Sequence, residues 1–146
     1  MAAGLEGKGY KPYVPLYVLH RHRADVLVKS EHPLFPGYIF CRFDAKKRLP
    51  VLMTSGVVSV VGCGREPVAI PDQEIEAVRA VLRSGLPAEV CPYLPEGQRI
   101  RVMNGSLEGV EGILVKRKNQ SRVVVSVTML QRSLSVEIDD DRLIAI

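Results

Sequence analysis

The segment Pro33-Leu34-Phe35-Pro36-Gly37-Tyr38-Ile39-Phe40-Cys41-Arg42-Phe43 decides how the first half of the chain is read. Its two prolines bracket Leu34-Phe35 and steer that pair away from helix, towards extended or turn backbone. Gly37 frees the chain to turn sharply before a strand begins. From Tyr38 onward, alternation puts Tyr38, Phe40 and Arg42 on one face of a predicted strand and Ile39, Cys41 and Phe43 on the other. Four of the eight aromatic residues of the chain fall within these positions, so the segment is either a core strand or a display site. In the first reading the prolines shape the entrance to a buried strand. In the second, a stiff turn holds Phe35 and Tyr38 half-exposed as an apolar docking surface.

Outward from this centre, the bulk properties narrow the field. The 146 residues suit one domain or two small ones, and 47% hydrophobic content is ordinary for a folded soluble protein. No apolar run is long enough to span a bilayer, and residues 1–5 lack the charged start and apolar core of a signal peptide. Cys41, Cys63 and Cys91 are odd in number and widely spaced. They fit small core hydrophobes in a reducing, cytoplasmic setting. The net charge of +4 is uneven: Arg21, Arg23, Lys29, Arg42, Lys46, Lys47 and Arg48 face only three acids between positions 17 and 48. All three histidines lie in that stretch too. Such an excess suits a neighbouring nucleic acid without making the chain a histone-like binder.

Along the chain, residues 5–10 look like the end of a helix with too few residues before it to form one. Residues 13–19 read as a first strand, with Pro15 placing it at an edge. His20-Arg21-His22-Arg23-Ala24-Asp25 reads as a solvated basic loop, and 26–29 returns as the second arm of a hairpin. Residues 46–53 suit a short helix with Pro50 in its first turn. The β-branched run 57–61 reads as a strand between Gly56 and Gly62. Pro71-Asp72-Gln73-Glu74 opens the clearest helix, with Ile75, Val78, Val81 and Leu82 as its apolar stripe and Gly85 as its stop. That helix is read as structural, with no chemistry of its own. Residues 84–96 hold three prolines and read as a linker that packs in part. From 97 onward five short strands are predicted, with a turn at Asn104-Gly105, which suits a small closed barrel.

Two stretches carry a family resemblance. Residues 33–43, followed by Gly56-Val57-Val58-Ser59-Val60-Val61-Gly62, resemble the centre of the N-terminal domain of NusG-type transcription elongation factors. Gly105-Ser106-Leu107-Glu108-Gly109-Val110-Glu111-Gly112 resembles their KOW motif. The pair occurs in the order and at the spacing of the family and spans nearly the whole chain. The resemblance implies an α+β chain. A ferredoxin-like N-terminal domain, with an antiparallel sheet and helices, covers 1–83. A Pro-rich linker covers 84–96, and a five-stranded, SH3-like KOW β-barrel covers 97–146. The strand that opens the family's N-terminal domain, and most of its first helix, have no counterpart here. The hairpin at 64–68 and the Pro71 helix resemble specialised paralogues that serve long polysaccharide or biosynthetic operons.

The same resemblance implies a cytoplasmic, monomeric elongation or antitermination factor. Because the sequence has no Gly-rich phosphate loop, no nucleophile with a base at recognisable spacing and no clustered metal ligands, no enzymatic activity, cofactor or metal is expected. Phe35, Pro36, Gly37 and Tyr38 match the surface that docks on the clamp helices of the largest catalytic subunit of RNA polymerase. Arg21 and Arg23 fall near upstream DNA. Leu107, Val110, Met129 and Leu130, with Arg132 beside them, match the KOW patch offered to a ribosomal small-subunit protein or to the termination factor Rho. Relatives often carry phenylalanine where Leu107 and Leu130 stand, and the residues alone leave a barrel-interior role open for all four apolar positions. The alternative is a ribosomal-type KOW protein whose Arg99, Arg101, Lys116, Arg117 and Lys118 bind RNA phosphates. It fits less well, because 97–146 holds eight Lys/Arg against six acids and no stacking aromatic residue. A folded but inactive relic of the family is a third reading.

Overall fold

In the computed structural model, Ala2–Gly7 forms a short helix (α1) that residues 5–10 alone did not predict. Tertiary contacts hold it: Leu5 is buried, and the Lys8 ammonium donates to the Pro50 carbonyl (2.8 Å) and the Thr54 hydroxyl (3.0 Å). The structure describes every residue except Gly64, and the side chains of residues 20–23 and Cys63 lie outside the described set.

Leu16–Arg23 (β1) and Val26–Pro33 (β2) pair antiparallel along their full length, from Leu16 opposite Pro33 to Arg23 opposite Val26. The predicted loop 20–25 therefore shrinks to its last two residues. Ala24 and Asp25 both take positive φ (47° and 64°), the geometry of a two-residue type I′ hairpin turn. That turn matches the twist of the flanking strands, which lets 20–23 continue the ladder instead of looping out.

A 3-10 turn, Ala45–Lys47, leads into Leu49–Leu52 (α2), with Pro50 in the first turn as expected. Gly62–Cys63 (β3) and Glu66–Pro67 (β4) form a two-residue ladder. The two longer strands expected in this half do not form. Residues 38–43 contribute a single bridge, Phe40 with Tyr13, and 57–61 join no strand among the described residues. β-branched sequence favours extended backbone, but a strand also needs a neighbour to take up its N–H and C=O groups.

Asp72–Arg83 (α3) begins and ends where the sequence places it, with Pro71 just ahead of it and Gly85 (φ +73°) just beyond. Val78 and Val81 are its buried positions. The Pro-rich segment contains a strand, Ala88–Pro92 (β5). All five strands expected after residue 97 are present: Arg99–Val102 (β6), Glu111–Arg117 (β7), Gln120–Val127 (β8), Arg132–Ile138 (β9) and Leu143–Ala145 (β10). With β5 they make one antiparallel sheet of six strands in the order β10-β6-β7-β8-β9-β5. Its core includes Ile100, Val102, Val123, Val125, Leu134 and Val136.

The chain is thus a mixed α+β protein. It divides into two compact units that interleave in sequence: Met1–Val14 with Phe35–Ala69, and Pro15–Leu34 with Ile70–Ile146. Among the described residues, no helix is long and apolar enough to cross a membrane.

Candidate functional site

The Pro36-Gly37 pair builds a tight turn. Tyr38 donates its N–H to the Phe35 carbonyl (3.1 Å), and Gly37 takes φ +85°. Proline followed by a left-handed glycine is the signature of a type II turn. The two aromatic residues flanking the turn go opposite ways. Phe35 is only 3% exposed and meets Phe40 edge-on, with ring centroids 5.5 Å apart at 85°. Phe40 in turn lies 6.4 Å from the Tyr13 ring and shares two backbone hydrogen bonds with that residue. Tyr38 remains 45% exposed beside exposed Pro36 and Gly37. The expectation that both rings are half-exposed therefore holds for Tyr38 alone. Phe35 anchors the turn, because an edge-to-face pair inside a small core outweighs display of a large apolar ring.

The basic hairpin is more apolar on its surface than its sequence suggests. Leu16, Val18, Val26, Leu27 and Val28 are all exposed. Arg21 and Arg23 occupy β1 opposite Val28 and Val26, and their side chains lie outside the described residues. The thiols of Cys41 and Cys91 are half-buried, not core, while that of Cys63 is outside the described set. Burial pushes Cys41 and Cys91 above the ordinary thiol value, partly offset at Cys91 by a Ser135 hydrogen bond and by Arg117 and Arg122. No cluster of three or more His, Cys, Asp or Glu able to hold a metal ion occurs among the described residues.

In the six-stranded sheet the glycine-rich motif performs a geometric task. Gly109 (φ +87°) donates to the Val102 carbonyl (2.9 Å), and Val110 returns a carbonyl to the Val102 N–H (2.9 Å). A Cβ on Gly112 would stand 2.5 Å from the Val124 carbonyl oxygen, so only glycine lets β7 approach β8 so closely. This arrangement turns Leu107 and Val110 into the core. Of the five residues matched to a partner patch, the outward set is therefore Met129, at 39% exposure, with half-buried Leu130 and Arg132. Met129 and Leu130 ride on a 3-10 turn, Thr128–Leu130, closed by Gln131 at φ +53°. Arg101 is tied to Glu111 through two nitrogens (2.6 and 3.0 Å), and Arg99 lies 3.6 Å from the same carboxylate. Lys116, Arg117 and Lys118 are exposed around the β7–β8 turn.

Residues 1–79, a little over half of the chain, match the family model described as transcription termination factor NusG. The matched region contains the Phe35-Tyr38 turn, the hairpin and the first half of α3. The chain belongs to the NusG family. It is accordingly a transcription factor of the NusG type.

Two features of this NusG-family chain lie outside the sequence reading. Glu74, in the first turn of α3, accepts the Thr128 N–H (3.1 Å to Oε1, 3.4 Å to Oε2) and the Thr128 hydroxyl (3.0 Å). The partners are 54 residues apart and carry no shared motif, so only the fold joins them. Arg122 is the second. It is buried on β8, with Nε donating to the Ser135 hydroxyl (3.2 Å) and the Glu89 carboxylate at 3.7 Å. A charge at that depth is held by partners on β9, the adjacent strand, and on β5, the strand beyond it.

Proposed function

We propose that this chain is an elongation or antitermination factor of the NusG family that docks on the clamp helices of the largest catalytic subunit of RNA polymerase. Docking uses Pro36, Gly37 and Tyr38, with Phe35 as the internal anchor of their turn. The observation that carries the reading is Tyr38: an exposed aromatic ring on a rigid turn, within the family-matched region. A partly exposed ring on a pre-ordered turn loses little conformational freedom on binding, which suits it to anchor a partner. Arg21 and Arg23 on the hairpin lie towards upstream DNA and steer the complex by charge.

In the same proposal, residues 1–83 are the docking domain, 84–96 the connection and 97–146 a KOW domain whose five strands wrap into a barrel. The barrel recruits a ribosomal small-subunit protein or Rho through Met129, Leu130 and Arg132. The chain is a monomeric, cytoplasmic binding protein, not a catalyst, and needs no cofactor. It serves a particular set of long operons as a specialised paralogue. Exposed Lys116, Arg117 and Lys118 favour a second reading, RNA binding of the ribosomal KOW type. The engagement of Arg99 and Arg101 by Glu111 weighs against it.

The test is binding to a purified bacterial elongation complex, beside the same nucleic acid scaffold without polymerase. Tyr38→Ala is expected to weaken polymerase-dependent binding by roughly 1–2 kcal/mol while Arg117→Ala leaves it unchanged. Equal binding to the bare scaffold, falling steeply with salt, would instead establish the RNA-binding reading.

A further inference from the structure

Arg99 and Arg101 alternate on β6, so both stand on one face of the sheet, and a single carboxylate holds them. The glycine-rich motif sets the arrangement. The Val102 carbonyl accepts from Gly109 and its N–H donates to Val110, while the missing Cβ of Gly112 lets β7 close on β8. Strand β7 therefore begins with Glu111 directly opposite Arg101. Arg101 donates to Glu111 Oε1 from Nε (3.0 Å) and Nη2 (2.6 Å), and Arg99 Nη2 lies 3.6 Å from Oε2.

The acid is the most covered member of this group: its side chain is 19% exposed, against 48% for Arg101 and 65% for Arg99. Fully exposed ion pairs are worth little, but a largely covered carboxylate shared by two guanidiniums is screened less by water and salt. A phosphate approaching either arginine has to displace Glu111 and then sits beside an unneutralised carboxylate. Arg99 also borders a groove of about 580 Å³ whose lining includes four carboxylates, Glu74, Glu76, Glu108 and Glu111. The far end of β7 is different. Lys116, Arg117 and Lys118 are exposed there, and the register sets Lys116 opposite Ser121 and Arg117 opposite Gln120, with no acid across the ladder. Arg117 shares the face of Arg99 and Arg101, since Arg99 pairs with Ile113 on the same strand.

We propose that Glu111 is a specificity residue that denies this sheet to nucleic acid. By neutralising Arg99 and Arg101 in place, it cuts a stripe of cations short at the 116–118 turn. Without it the stripe would run about 20 Å along β7, at ~3.3 Å per residue. Single-stranded RNA then finds too few phosphate partners to be held, which is discrimination by an element placed against the wrong ligand. That the sheet is thereby reserved for a protein partner rests on the proposed function; the exclusion of RNA does not.

Binding of a fluorescent oligouridine RNA to the full chain, over a series of NaCl concentrations, tests the proposal. Glu111→Gln keeps the size of the side chain and removes its charge. It should tighten binding about tenfold at low salt and steepen the dependence of log K on log[salt] by about 1, as one or two new phosphate contacts require. Glu108→Gln makes the same change in net charge in the preceding turn and should shift binding by less than about twofold. Adding Arg99→Ala and Arg101→Ala to Glu111→Gln should return binding to the wild-type level. Thermal melting checks that each variant is folded. If Glu111→Gln does not fold, Glu111→Asp, whose shorter side chain draws the carboxylate back from both arginines, should tighten binding in the same direction by less. Unchanged binding in the Glu111 variant, or equal tightening in Glu108→Gln, overturns the proposal. Tightening that survives the loss of both arginines does so too. Wild-type binding as tight as that of Glu111→Gln also overturns it, and establishes the ribosomal KOW reading. Polymerase-dependent binding that needs Tyr38 is read in its own assay and stands or falls separately.

Discussion

Val57-Val58-Ser59-Val60-Val61 and Val123-Val124-Val125-Ser126-Val127 are nearly the same peptide, four valines and a serine each, and they end in opposite states. The second lies within β8, the fourth strand of six, and pairs with β7 on one edge and β9 on the other. Val123 is fully buried opposite Leu114 and Val136. The first joins no strand among the described residues, and Val58 is 95% exposed. Backbone hydrogen bonds hold that run at its two ends, where the Val57 N–H donates to the Thr54 carbonyl (3.1 Å) and the Val61 carbonyl accepts the Val68 N–H (3.1 Å). Intrinsic β-preference is worth a few tenths of a kcal/mol to about 1 kcal/mol per residue, and its sign depends on neighbours. The difference between the two runs is therefore a difference in their surroundings, not in their residues.

That contrast can be pressed hardest where the first unit keeps its apolar weight, which is the aromatic cluster and not a valine strand. Phe35→Ala should cost about 3–5 kcal/mol in denaturant unfolding, because it removes a buried ring packed edge-on against Phe40. A cost near zero would mean that Phe35 is displayed after all. Next comes the pairing side. Gly112→Ala should destabilise the sheet by about 3 kcal/mol, since a Cβ there meets the Val124 backbone and the β7–β8 ladder must shift. Val123→Ala, read by thermal or denaturant melting, should cost about 2 kcal/mol from lost burial and the cavity left behind. Its counterpart Val58→Ala should change stability by less than about 0.5 kcal/mol, as exposed substitutions do. A large effect at Val58 would show that the run is paired or covered in solution and would erase the contrast.

The same contrast explains what was legible in the sequence. Elements whose signals are local were read correctly: α3 from Pro71, its acidic first turn and Gly85; the Pro36-Gly37 turn; and the five strands after residue 97, each bounded by turn residues. Elements that depend on distant partners were not. Residues 38–43 and 57–61 carry strand composition but find almost no ladder. Conversely, 88–92 has proline at its end and sits in a loop-like segment, yet pairs with β9 from Ala88–Val136 to Pro92–Arg132. The hairpin tip was misplaced because Ala24-Asp25 lacks the glycine or asparagine that usually marks a type I′ turn. For the candidate site, the turn at Phe35 to Tyr38 was visible, but not which ring points inward, since alternation says nothing about which face is covered. Glu74 was visible only as a favourable first-turn carboxylate. Its grip on Thr128 is a product of the fold.

Strand β5 also sets a leash. Because 88–92 is stitched to β9, only residues 84–87 run free between the end of α3 and the sheet. Five Cα–Cα steps reach at most about 18 Å. On so short a tether the helix meets the sheet at an effective concentration of at least the millimolar order. A short leash therefore keeps α3 beside the sheet whatever the strength of each single contact between them.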